Sequence, residues 1–244
     1  MPRPRRFCPA NYVFHVLNRG CHGRRLFETR ADYRGFRALL SKGVERVGMR
    51  VCSFDVMPNH WHVVVWPEKD GAVSAFIHWV CTAHVAMRVR LRRHEAGHLY
   101  QGRFHSFAIQ DEAYYYNAMR YVEANALRAG LVDRAENWEW SSVSERRHGS
   151  ELLVPGPLPL PPNWMDLVNQ GFDPDELATL RASVRSGRPY GDAGWVEETS
   201  RVLGLEQTLH GVGRTRTRVR RSAGSILPSG VAALAPLPLP LRRV

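Results

Sequence analysis

The spacing of apolar residues changes period several times along the first 130 positions. Residues 12–17 read YVFHVL, a β-branched and aromatic run closed by Asn18-Arg19-Gly20, which predicts a strand ending in a turn. Over residues 31–47, Tyr33, Phe36, Leu39, Leu40, Val44 and Val47 recur at helical spacing, and Gly48 stands where a helix C-cap glycine belongs. Residues 51–56 alternate, Pro58-Asn59 turns the chain, and residues 60–66 are rich in valine, so the spacing predicts a β-hairpin. Residues 73–93 return to helical spacing through Phe76, Ile77, Val80, Ala83, Met87 and Leu91. Their arginines gather in the last turns, where the helix dipole favours cations. Residues 104–109 predict a fourth strand and residues 112–129 a third helix ended by Gly130.

This order matches a split βαβ, ferredoxin-like sandwich of the α+β class. The expectation is an antiparallel sheet with helices on one face, part of the other face being left to a ligand. Residues 1–150 are expected to form this domain. Residues 151–163 form a proline-rich linker: the stretch LLVPGPLPLPPN holds five prolines and predicts a stiff, polyproline-like spacer. Residues 164–210 predict a helical C-terminal extension, with helices over 173–184 and 195–205, the first capped by Asp173 and carrying Pro174 at its first position. Residues 211–244 hold seven arginines and no acid and predict a basic, disordered tail.

Charge adds a partner. Lys and Arg number 34 against 23 Asp and Glu, a formal net charge of +11, and only Lys42 and Lys69 are lysines. Arginine's planar fork suits phosphate, so a polyanion is expected. Cys8, Cys21, Cys52 and Cys81 are scattered without a CxxC pair, which argues against a zinc ribbon or a disulfide framework and fits a reducing cytosol. No apolar segment follows the basic MPRPRRF, and no run approaches the roughly 18 apolar residues of a membrane span. A cytoplasmic protein without a membrane partner is expected.

The chemistry concentrates in MPNHWHVVVWP, residues 57–67. On a strand, His60 and His62 project to one face and Trp61 to the other, so the two imidazoles either pack and cap the turn or share an ion. A third donor is expected of an ion site, and residues 114–132, YYYNAMRYVEANALRAGLV, offer Tyr121 and Asn125 four apart on one helix. An amide oxygen beside two imidazoles suits Mg²⁺ or Mn²⁺, with open positions for phosphate oxygens. Tyr121 then stands one helical turn from the ion, where a phenol could attack phosphorus. Tyr114, Tyr115 and Tyr116 have no amide or carboxylate four residues on, which favours packing or base stacking. Arg19, Arg24, Arg25, Arg103 and His105 are candidate phosphate contacts or ordinary surface and packing residues. Glu112 and Glu123 read as structural, and Trp138 and Trp140 as packing onto the sheet.

Four segments, MPNHWHVVVWPE, NYVFHVLNRGCHGRRLFE, LYQGRFHSF and RYVEANALRAGLV, together resemble the HUH single-strand transposases with one catalytic tyrosine, specifically the REP-associated tyrosine transposases. The resemblance spans about residues 7–148, with a weaker likeness over 187–206 to that group's C-terminal extension. It implies that Tyr121 attacks a DNA phosphate, forming a 5′-phosphotyrosine and releasing a 3′-hydroxyl, while His60, His62 and Asn125 hold the divalent ion. Its implied partner is single-stranded DNA bearing hairpin repeats, handled by a monomer or homodimer. Ala126 stands where the family more often has proline. Three function classes follow: a DNA-cutting and rejoining transposase, a non-catalytic DNA-binding protein, and a metal-dependent nuclease in which Tyr121 only packs.

Overall fold

The structure, a computed structural model, describes residues 8–10, 12–92 and 97–209. Strand β1 (Val13–Arg19) is followed by helix α1 (Arg30–Val47), the hairpin β2 (Arg50–Met57) and β3 (His60–Trp66), helix α2 (Ala72–Arg92) and strand β4 (His105–Ile109). The sheet order is β2-β3-β1-β4 with every neighbouring pair antiparallel. This is the ferredoxin-like α+β arrangement that the order of apolar periods predicts. Helix α1 starts at Thr29, whose side chain and that of Asp32 form a reciprocal capping box, and it stops at Gly48 in the left-handed region (φ 70°).

The sheet is covered on both faces. Phe14, Val16, Phe54, Val56, Trp61, Val63 and Val65 pack with Phe36, Leu40, Phe76, Ile77 and Val80 of α1 and α2. On the opposite face, Val13, Cys52, Val64, Phe107 and Ile109 pack under Tyr115, Met119 and Val122 of α3 (Glu112–Glu123). The second face is therefore not left open, because strands that are apolar at consecutive positions, as β3 is at Val63-Val64-Val65, need cover on both sides. Helix α2 is long and apolar enough by length and composition to span a membrane. One face of it belongs to the core, with Phe76, Ile77 and Val80 fully buried and Arg88 paired with Asp32 and Glu28, while Val85, Val89 and Leu91 are exposed.

Short helices follow: α4 (Asn125–Arg128), α5 (Ser142–Arg146), α6 (Trp164–Asn169), α7 (Pro174–Ser186) and α8 (Ala193–Val202). Asp173 caps α7 with Pro174 at its start, as expected. The proline-rich stretch lies against the domain rather than standing off as a spacer: Leu152 is buried, Val154 N–H donates to Val51 O (3.0 Å), and the Tyr116 hydroxyl donates to Pro159 O (2.7 Å). Tyr190 then pairs with the outer edge of β4, donating to Ala108 O (2.8 Å) and accepting from Gln110 N–H (3.0 Å). An edge strand's free backbone groups are thereby satisfied. The basic tail, residues 211–244, lies outside the described residues.

Candidate active site

The turn before the histidine pair is held from below by the chain leaving β1. Leu26 and Phe27 N–H both donate to Pro58 O (2.7 and 3.1 Å), and Gly20 N–H donates to Asn59 O (2.8 Å). Gly20 must be glycine, since a Cβ there would lie 2.1 Å from Arg24 O. With the turn fixed, β3 presents His60 and His62 on one face, ring centroids 5.0 Å apart. Trp61 goes into the opposite core, where its Nε1–H donates to the Tyr100 hydroxyl (3.2 Å).

Helix α3 lies over that histidine face and places the Tyr121 ring 6.0 Å from the His62 ring. The expected single helix over 112–129 is broken: a turn at Ala124 (φ −86°, ψ 9°) ends α3 and begins α4. Asn125 nevertheless reaches the histidines, its Nδ2 lying 3.2 Å from His60 Nε2. The pair His60 and His62 and the pair Tyr121 and Asn125, far apart in sequence, thus converge on one spot.

Each histidine is oriented by a second side chain. His60 Nδ1 meets Asn59 Oδ1 at 2.7 Å, and since an amide oxygen only accepts, Nδ1 carries the proton and Nε2 the lone pair. His62 Nδ1 meets His15 Nε2 at 2.7 Å, which directs His62 Nε2 as the nitrogen for an ion. Burial, with the nearby Arg19 and Arg128 charges adding, lowers His60 to about 4. His62 is held well below the ordinary imidazole range by burial and by its histidine neighbours, and His15 falls to about 3 for the same first reason. All three are neutral at pH 7, the state in which imidazole binds metal. His15 was not among the candidates expected from the sequence. Its signal was a histidine inside the apolar run YVFHVL, pairing in register with Val64 and so facing the same side as His62.

Among the described residues, no group of three or more His, Cys, Asp or Glu side chains is arranged to hold an ion. An ion at this site would rest on the two imidazoles plus the Asn125 amide oxygen. The donor set fits Mg²⁺ or Mn²⁺ in type, but Asn125 Oδ1 already accepts from Arg128 Nη2 (3.0 Å) while Nδ2 faces His60. A shift of the amide toward the histidines is needed before its oxygen reaches an ion there. Arg128 is a second residue that the sequence analysis missed, as is Asp55, a fully buried acid opposite His62 across the β2–β3 pair. Burial raises the Asp55 carboxyl well above its ordinary range.

The other candidates distribute around this centre. Arg19 pairs in register with His60, and His105 lies on the row of Leu17 and His62; both are exposed at the edge of the site. Arg24 and Arg25 belong to the loop packed on Pro58, and Arg103 precedes β4. The three adjacent tyrosines are engaged elsewhere. Tyr114 packs edge-on to Tyr190, Tyr115 is buried, and Tyr116 bonds to Pro159. Glu123 is structural, accepting from Ser142, Trp164 and Arg146. Trp138 and Trp140 pack as expected, the first donating to Val56 O (3.1 Å) and the second stacking on Tyr33.

Fold and site define an α+β domain that sets a histidine pair of its central sheet against a helix-borne tyrosine. Residues 9–125 match the family model of the IS200-like transposases. Among solved structures, a REP-associated tyrosine transposase bound to a REP hairpin is similar, with 19% identity and a TM-score of 0.49 over 64% of this chain and 92% of that one. A candidate transposase from Deinococcus radiodurans R1 is similar at 13% identity and a TM-score of 0.34, over 54% of this chain and 92% of that one. No curated protein matches the chain.

Proposed function

We propose that the protein cleaves and rejoins single-stranded DNA at hairpin-forming, REP-type repeats through a covalent tyrosine intermediate. The observation that carries this reading is the placement of Tyr121 over His62, with Asn125 reaching His60, while the rival tyrosines pack elsewhere. The Tyr121 hydroxyl oxygen attacks the phosphorus and the P–O3′ bond breaks. The departing 3′ oxygen leaves as a hydroxyl, taking the equivalent of the phenolic proton, and the 5′ phosphate stays on the tyrosine. Attack by another strand's 3′-hydroxyl reverses the step and rejoins DNA. His60, His62 and Asn125 would hold Mg²⁺ or Mn²⁺, whose chemistry there is to polarise the phosphate. Asn59 and His15 keep the two imidazoles turned, and burial keeps them neutral. Arg19, Arg24, Arg25, Arg103 and His105 line the approach for the DNA backbone.

The test is an oligonucleotide carrying a hairpin repeat, incubated with protein and Mn²⁺ and followed by mass spectrometry of the trapped protein. We expect a nucleotide on Tyr121 and 5′-end label retained on a freed 3′-hydroxyl fragment. Tyr121→Phe removes one hydroxyl and should abolish the adduct, and His60→Ala or His62→Ala should abolish cleavage while most DNA binding persists. One observation favours a second reading, a DNA-binding protein without chemistry: the Asn125 amide meets His60 through its nitrogen, and its oxygen is engaged by Arg128. Wild-type binding without an adduct supports that reading, and cleavage without an adduct supports a hydrolytic nuclease.

A further inference from the structure

Several buried or half-buried arginines in this protein meet acids. Arg88 pairs with Asp32 and Glu28, Arg146 with Glu123, and Arg37 with Glu145. Arg120 instead spends its donors on the backbone carbonyls of Leu167, Gln170 and Gly171, closing a loop. Arg128 likewise meets no acid. Its guanidinium lies over the Tyr121 ring at 4.1 Å, donates from Nη1 to Tyr121 O (2.8 Å) and donates from Nη2 to Asn125 Oδ1 (3.0 Å). Among the described residues no carboxylate stands within ion-pair distance of it. Asp55, whose charge would act on Arg128, is a buried acid that burial drives toward its neutral form.

A partly buried cation without an anion is costly, and it persists where something else requires it. The position explains what that is. The turn at Ala124 interrupts the helix between Tyr121 and Asn125, and the Arg128 fork ties the carbonyl of one to the amide of the other. Arginine carries five donors in a rigid plane, so a cation held this way still has N–H groups to offer. Phe172 flanks the same guanidinium at 5.6 Å and limits its exposure to solvent.

We propose that Arg128 is a further functional residue of the tyrosine site, a cation held against the Tyr121 ring that pairs with the scissile phosphate when DNA enters. The inference rests on the proposed tyrosine chemistry and adds to it the group that neutralises the phosphate. A donor preorganised toward developing charge contributes about 100-fold or more in rate. Arg128 is expected to do so without contributing much to general DNA affinity, which surface arginines supply.

The experiment measures adduct formation at saturating DNA for wild type, Arg128→Gln and Arg128→Lys, on two substrates. One carries the natural phosphate at the cleaved position and the other a methylphosphonate, which removes the negative charge there. We expect Arg128→Gln to slow adduct formation about 100-fold on the phosphate, with DNA affinity within about 3-fold, and Arg128→Lys to recover part of the loss because the charge returns. On the methylphosphonate the gap between wild type and Arg128→Gln should shrink to a few-fold. An equal loss on both substrates reduces Arg128 to a structural brace and overturns the proposal, as does a wild-type rate for Arg128→Gln. If Arg128→Gln does not fold, Arg128→Lys carries the same comparison, since its smaller loss must also shrink on the neutral substrate. A wild-type protein that forms no adduct on either substrate sinks the tyrosine chemistry itself, an outcome distinct from the other two.

Discussion

His15 shows how one residue's worth depends on a partner distant in the chain. Its Nε2 meets His62 Nδ1, and its ring packs edge-on against Phe107 at 4.8 Å. His15→Phe keeps the apolar packing and deletes the bond that orients His62. Loss of an outer partner of a metal ligand typically weakens metal affinity by about 10- to 100-fold. Calorimetric Mn²⁺ titration without DNA should show a drop in that range with little change in thermal midpoint. Unchanged affinity would make His15 ordinary core. Asn125→Ala should slow cleavage less completely than Tyr121→Phe, because water can replace one oxygen ligand and nothing replaces the nucleophile.

At the scale of elements, two contacts govern how the layers sit. Helices α1 and α2 approach at Gly43, where an added Cβ would come within 2.8 Å of the Phe76 ring and 2.9 Å of Val80. Gly43→Ala improves helix propensity yet overpacks this crossing, and a net loss of about 1–3 kcal/mol is expected from the urea midpoint. The second contact is Glu123, which ties α3 to α5 and α6 through Ser142, Arg146 and the Trp164 indole. Glu123→Ala leaves Arg146 without its anion in a partly buried place, and removing one partner of a buried pair costs about 3–5 kcal/mol. Because α3 carries Tyr121, adduct formation in this variant should fail at a lower temperature than in the wild type.

For the whole molecule, buried neutral histidines make stability depend on pH. Burial lowers His84 and His15 to about 3 and His60 to about 4 from the ordinary 6.5. Between those values the unfolded chain binds protons that the folded protein does not, so stability is fully present above pH 6.5 and is lost as pH falls below it. Each such histidine contributes a slope of up to about 1.4 kcal/mol per pH unit. Urea unfolding of metal-free protein at pH 7.5, 6.0 and 5.0 checks this, and a midpoint that does not fall would contradict it. The net charge of +11 acts at the same scale. Removing residues 211–244 takes seven of its arginines away and should flatten the slope of log affinity against log salt without ending cleavage.

The sequence by itself determined the sandwich, because the switches between helical and strand spacing are local and their punctuation is strong: Gly48 ends α1, and Pro58-Asn59 turns the hairpin. It also determined that His60 and His62 share a face, since strand geometry leaves no choice. What the tertiary structure alone decided concerns residues that meet from different elements. No period in YVFHVL says that His15 faces His62, because that depends on the register between β1 and β3. Neither the break at Ala124 nor the Arg128 fork is legible in an unbroken helical pattern, since the turn is stabilised by a side chain and by the packing of α3 over the sheet. The docked proline-rich stretch follows the same logic. Five prolines forbid helix and central strand, but only the groove beside β2 and α3 determines that the segment lies down there.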